Sequence, residues 1–455
     1  LAITGGKVAR ILACSVLGVI GLALATAASA QVPMSSDAHL GVNSCAGSTC
    51  HGAASRTKKM SAVVQDEALI WQSYDKHAKA YTVLQGTLGR RIAANLGIGP
   101  AEKAQECLIC HADNVPVAMR GVQFHIEDGV GCEACHGGSA RWLGPHATGL
   151  TRHADLVANE GLYPTETPIA RAKLCLSCHE GDDERFITHK IMGAGHPRLS
   201  FELQTYTQIE PAHFVIDDKY RFDRTGAVRK VVAPGVQVWA VGQALALERL
   251  ASELTNPKHA GDGVFPELIF FDCQSCHHTT SNLRWEKRAS TGLAPGLPHL
   301  NDANAVMLRT IAARVAPDLS RRLESDVRTL HLALSAGIGR PAAAAPRVAE
   351  EAGQMAQMLS DHSFNQGDMR ALILALAQIS QTSDMSDYAA AEQATMAFAS
   401  IIYTLKMDGD VDTAQYDRLR AALEQCYGAT RNQDAYDPRR FAAAAEAIES
   451  ATPTW

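Results

Sequence analysis

Aromatic side chains make up only 6% of this 455-residue chain, too few to supply most of a large core. Basic charge is not in excess either. Lys and Arg number 42 against 48 Asp and Glu, a net charge of −6, so the electrostatic footprint of a nucleic-acid binder is missing. Beyond residue 30 no stretch is apolar enough to span a bilayer. Cysteine is also nearly used up. Ten of the twelve fall into five short motifs, leaving Cys14 near the start and Cys426 in a helical stretch, so no disulfide framework can be built.

Those motifs are what the chain does have. Four are strict CxxCH: Cys107-Cys110-His111, Cys132-Cys135-His136, Cys175-Cys178-His179 and Cys273-Cys276-His277. A fifth is stretched, with four residues between Cys45 and Cys50 and then His51. At this composition chance supplies roughly 0.01 CxxCH per chain. The spacing is that of covalent c-type haem, in which two thiols add to the vinyl groups and the next histidine reaches the iron. Zinc would want paired CxxC units or a distant HxxxH, and would not explain a histidine after every second cysteine. For the stretched motif a disulfide is the alternative. Five covalent haems are expected, with His51, His111, His136, His179 and His277 as proximal ligands. Their porphyrins would supply the apolar surface that the side chains lack.

Sixteen of the eighteen histidines lie between His39 and His299. Eleven of these are outside the motifs, more than five second axial positions require. Histidine there gives a six-coordinate iron suited to electron transfer, whereas an open position admits a small ligand. The candidates singled out are His77, His146, His196, His39 and His125. His77 lies in a probable helix, small residues beside His196 leave room for a macrocycle, and His39 lies just before the first motif.

Residues 1–30 read as a signal peptide. Lys7 and Arg10 precede an apolar run at 11–27, and Ala28-Ser29-Ala30 is a cleavage pattern, so a mature chain from Gln31 and a periplasmic location are expected. An uncleaved membrane anchor is the alternative. Losing Lys7 and Arg10, and gaining five haems with ionised propionates, would take the charge to about −13, which suits a basic partner.

Residues 31–290 are expected to form a loop-rich pentahaem domain, with one long helix from Gly235 to Leu254 and a hairpin at 220–232 turning at Gly226. A Gly/Pro-rich connector at 290–298 precedes residues 291–455, read as a haem-free helical bundle. Leu319, Leu323, Val327, Leu330 and Leu334 keep helical spacing up to Gly337. Ala394, Phe398, Ile401, Ile402 and Leu405 repeat it after a cap near Asp387, and 439–450 form a further Ala-rich helix. The fold class is therefore mainly α, a multihaem cytochrome c core with a C-terminal helical bundle.

Three segments resemble the cytochrome c-554 family of multihaem cytochromes. Residues 129–137, GVGCEACHG, resemble its GVxCExCHG segment. Residues 71–81 look like its distal-histidine segment ending in HxxAY, and residues 193–203, GAGHPRLSFEL, are similar to GxGHPxLxFEL. The resemblance covers roughly residues 39 to 290. It implies closely stacked haem pairs, bis-histidine ligation at most irons with His77, His146 and His196 as distal ligands, and electron transfer in the periplasm. A fifth haem and the C-terminal bundle depart from the family's tetrahaem pattern.

The leading expectation is an electron carrier in a respiratory chain, exchanging electrons with periplasmic or membrane redox proteins. The alternative is an oxidoreductase with one five-coordinate haem acting on a small nitrogen or sulfur species such as nitric oxide or hydroxylamine. The C-terminal bundle would dock a partner or a second copy, or else cover haem edges. The haem count has a direct check: the intact mass of the mature protein should exceed the bare chain by five haems. A mass showing four would remove Cys45 and Cys50 from the attachment sites.

Overall fold

The computed structural model describes residues 37–54, 64–222, 226–260, 266–278, 287–336 and 341–453. The expected leader with its cleavage site, Cys14 and the helix-ending Gly337 lie outside the described residues. Within them the fold is mainly α, and extended structure is limited to isolated bridges joining His39 to Arg120, Phe222 to Val228 and Phe271 to Leu300. No helix among the described residues is long and apolar enough to cross a membrane.

Eight long helices carry the architecture: α1 (Gly235–Glu253), α2 (Ala303–Val315), α3 (Pro317–Ser335), α4 (Pro341–Asp361), α5 (Gln366–Ile379), α6 (Tyr388–Met407), α7 (Thr413–Ala429) and α8 (Pro438–Ala451). The amphipathic stripes account for α3, α6 and α8, which fall where the spacing puts them. The hairpin reading is met by the antiparallel Phe222–Val228 bridge, with Gly226 at φ +84°. Cys426 is fully buried in α7, as a small apolar residue.

Helix α1 is buried over most of its circumference, with polar residues at Gln237, Glu248 and Arg249. Val236, Trp239, Val241, Ala244, Leu247 and Ala251 are all buried, which marks a helix at the centre of a core rather than at its edge. It packs on α4 above all, and also on α2, α6 and the motif-bearing helix Pro168–His179. At Gly242 an added Cβ would sit 2.8 Å from the Leu203 Cβ, so only glycine admits that close approach.

One hydrophobic core therefore crosses the connector at 290–298. It runs from Ala172, Leu176, Phe201 and Leu203, through α1, to Ile448 in α8. The change near residue 290 is in composition, from haem motifs to none, and the packing is continuous. Polar contacts join the two parts as well. Glu392 of α6 accepts from Arg198 Nη2 at 2.8 Å and from Ser200 Oγ at 2.6 Å. Gln393 Nε2 donates to the Phe201 carbonyl at 2.8 Å, and Thr404 Oγ1 accepts the Val236 amide at 2.9 Å. Gln274, inside the last motif, accepts the Tyr388 amide and donates to the Gln433 carbonyl.

A buried charge cluster sits in the same region. Arg288 binds Asp302 and Asp387 at 3.0 and 2.6 Å, and His331 lies 3.2 Å from Asp302. His299 Nε2 is 3.3 Å from Asp387. Burial opposes the charge on His299, but the Asp387 hydrogen bond and carboxylate prevail and raise it to about 9.

The N-terminal segments have only a small core of their own, built from Tyr81, Leu84, Ala93, Ala101, Leu108 and Ala112. A buried carboxylate does much of the joining there. Glu133, inside the third motif, accepts the amides of Leu40, Gly41 and Ser139 at 2.8, 2.6 and 2.7 Å. It thereby ties the chain leading into the first motif to the third.

Two measurements check this packing. Trp239→Ala should cost about 3–5 kcal/mol, read as a lower denaturant midpoint by far-UV circular dichroism. Because the folded pKa of His299 lies above its unfolded value, its contribution is complete below about pH 6.5 and is lost as pH rises through about 9. In His299→Gln that alkaline decline should be reduced.

Candidate metal centres

Three of the motifs end a helix. His111, His136 and His179 close Gln105–His111, Cys132–His136 and Pro168–His179. Cys273 starts the turn Cys273–Ser275, capped by the Asp272 carboxylate on the Ser275 amide. Pro168 at the start of its helix and the Thr167 cap place the fourth motif on a rigid support, with Ala172 and Leu176 in the large core.

Four of the five proximal histidines face a second imidazole. Ring centroids are 5.9 Å apart for His51 and His146, 6.4 Å for His111 and His196, 6.2 Å for His179 and His77, and 6.2 Å for His277 and His189. An iron bonded to two imidazole nitrogens at about 2 Å each sets the centroids roughly 6 to 6.5 Å apart. Hydrogen-bonded imidazoles would approach more closely, and stacked ones would meet near 4 Å, as His259 does on Phe186 at 3.8 Å.

The outer nitrogens are held as ligation requires. Nδ1 of His51 lies 3.1 Å from Glu67 and Nδ1 of His77 lies 3.0 Å from Asp75. Nδ1 of His111 and of His196 contact the carbonyls of Ala80 and Pro197 at 2.9 and 2.8 Å. A histidine anchored through Nδ1 presents Nε2 to a metal. Electrostatics divide the set. Hydrogen bonding to Glu67 and to Asp75 raises His51 and His77. Burial lowers His111 and His146, and it takes His136 and His179 down to about 4, the neutral form that binds metals.

The motifs also meet at sulfur. The Cys45 and Cys132 thiols are within hydrogen-bonding reach, and so are those of Cys110 and Cys178. Cys135 is half-buried near Cys175 and Cys178, whereas Cys50 and Cys276 are exposed. Phe201, from the 193–203 segment, stacks on His179 at 4.6 Å. The donor set thus fits haem at the motifs whose histidines are paired.

Of the candidate distal residues, His77, His146 and His196 each face a proximal ring. His39 and His125 face none among the described residues. His39 is buried with Nδ1 2.7 Å from Asp113, and His125 precedes the turn Ile126–Asp128 and lines a crevice with Cys132 and Glu133. Nearness to the first motif drew attention to His39 and histidine density to His125, but neither carries a direction. His189, opposite His277, was not singled out from the sequence, where nothing beside it but the capping Thr188 marks it. His136 faces no second ring at this separation among the described residues, and His213 lies near enough to act on it electrostatically.

No curated protein and no solved structure matches the chain. Residues 44–137 match the family described as cytochrome c554 and c-prime, a stretch that holds the first three motifs, Glu133 and His77. Over that stretch the chain is similar to c-type cytochromes of the cytochrome c554 and c-prime family.

Proposed function

We propose that this protein is a periplasmic electron carrier holding five covalent haems, ligated mostly by histidine pairs. The carrying observation is that four proximal histidines each face a second imidazole at the separation one iron needs. The cysteines of the five motifs hold the porphyrins. His51 with His146, His111 with His196 and His179 with His77 hold three irons from both faces, and His136 and His277 hold the other two from the proximal side. When bound, the haem supplies reversible one-electron iron chemistry. The side chains around it fix the imidazoles, keep the buried ones neutral and fill both axial positions, which closes those irons to small ligands.

Periplasmic or membrane redox proteins are the partners that such a carrier needs, and the acidic charge favours a basic one. Exposure of Cys50 and Cys276 supports exchange at the first and last motifs. The C-terminal helices, packed on the segments that carry His179 and His196, support a scaffolding role for that part, with docking or self-association on its outer faces.

A second reading has one observation in its favour. His136 faces no second imidazole among the described residues, which supports an open iron there and an oxidoreductase acting on a small nitrogen or sulfur species.

Spin state separates the two. A carrier with all irons low-spin and inert to carbon monoxide agrees with the first reading, and one high-spin iron in the wild type agrees with the second. His77→Ala and His146→Ala should each keep every haem by mass and add one high-spin iron that binds carbon monoxide when reduced. A spectrum unchanged in both variants would overturn the paired-ligand reading.

A further inference from the structure

The last motif has no counterpart in the matched stretch, and its second ligand was not evident from the sequence. We propose that His189 is the second axial ligand of the iron held by His277, completing a fourth bis-histidine centre at the Cys273/Cys276 motif. This rests on reading that motif as a haem attachment site.

The two rings are 6.2 Å apart at 26°, the separation of the other three pairs. Both side chains are exposed, so burial does not force them together. Two imidazoles with no group between them gain nothing from facing each other at this distance, which is too long for a hydrogen bond and for stacking.

The backbone is built to hold His189 there. It is the first residue of the turn His189–Gly193, whose cap Thr188 accepts the Ile191 amide at 3.2 Å. Its own amide donates to Oε1 of the buried Glu267, and Oε2 of that carboxylate accepts the Leu268 amide at 2.9 Å. Glu267 lies six residues before Cys273, on the segment that leads into the motif. One carboxylate thus joins the strand of chain that carries His189 to the one that carries the haem thiols.

Other histidines are committed elsewhere. His153 Nε2 is 2.7 Å from Glu166, His299 and His331 contact Asp387 and Asp302 through Nε2, and His259 lies on Phe186 with Nδ1 3.0 Å from Glu253. His196 faces His111. His278 follows His277 directly in the chain and cannot reach the opposite face of the same macrocycle.

The test uses the full-length holoprotein. Peptide mapping of the wild type first asks whether the fragment with Cys273 and Cys276 carries haem mass. If it does not, the attachment reading at this motif fails and the ligand assignment falls with it. If it does, His189→Ala should keep that haem and show one more high-spin, carbon-monoxide-binding iron than the wild type, by electron paramagnetic resonance and by titration of the reduced protein. His189→Met should stay low-spin and raise the potential of one centre, since thioether ligation favours the reduced iron. His153→Ala, the control, should match the wild type in both respects. A haem-bearing fragment combined with a His189→Ala spectrum and carbon monoxide titration equal to wild type would overturn His189 alone and leave the carrier reading standing. So would a His189→Met protein with unchanged potentials.

Discussion

The organisation of the haem-motif half turns on one distance, the gap of about 6 Å that recurs between paired imidazole rings and that one iron between them would set. CxxCH fixes only one side of that gap, because its cysteines and histidine are neighbours in the chain. The opposite ring comes from a remote segment: His146 to His51, His77 to His179, His196 to His111. An error of an ångström in the placement of such a segment would lose that spacing. Short helices and loops cannot hold that tolerance alone, and the N-terminal core of Tyr81, Leu84, Leu108 and their neighbours is small.

The required rigidity comes from two sources. Buried carboxylates pin loops through backbone amides: Glu133 ties residues 40–41 to the third motif, and Glu202 accepts the amides of Gln204 and Thr205 directly after the GHP segment. The long helices supply the rest. Helix α6 contacts the 193–203 segment through Glu392 and Gln393 and the last motif through Tyr388. Helix α1 lies between α4 and the Pro168–His179 helix that carries the fourth motif. The C-terminal helices are therefore continuous with the structure that positions the ligands, and their apolar burial stabilises segments with little core of their own.

Legibility in the sequence follows the range of the interaction. The attachment motifs are local, so spacing alone identifies them. Helices α3, α6 and α8 are amphipathic, and their period shows in the residues. Helix α1 could be read as a helix, but its central position could not, because apolar residues on most of its faces do not say which segments cover them. His77, His146 and His196 were singled out through their surrounding segments. His189 was passed over because its position depends on Glu267, far along the chain, whereas His39 was chosen for lying just before the first motif and His125 because histidine is dense there. The core crossing residue 290 was hidden for the same reason: composition changes at the connector, whereas contacts between α1 and α4 depend on tertiary packing.

The anchors behind the imidazoles add a further distinction. Carboxylates stand behind His51 and His77, and neutral carbonyls behind His111 and His196. A carboxylate that accepts the Nδ1 proton makes the ring a stronger electron donor than a carbonyl does, and a more basic ligand favours the oxidised metal. The His51/His146 and His179/His77 pairs each contain one carboxylate-backed ring, whereas His111/His196 contains none. Centres with the same ligand type therefore differ in the electron density offered to the iron. A carrier with several like cofactors needs such differences if its potentials are to be graded, and here they arise from the residue behind each ring, with no change of ligand.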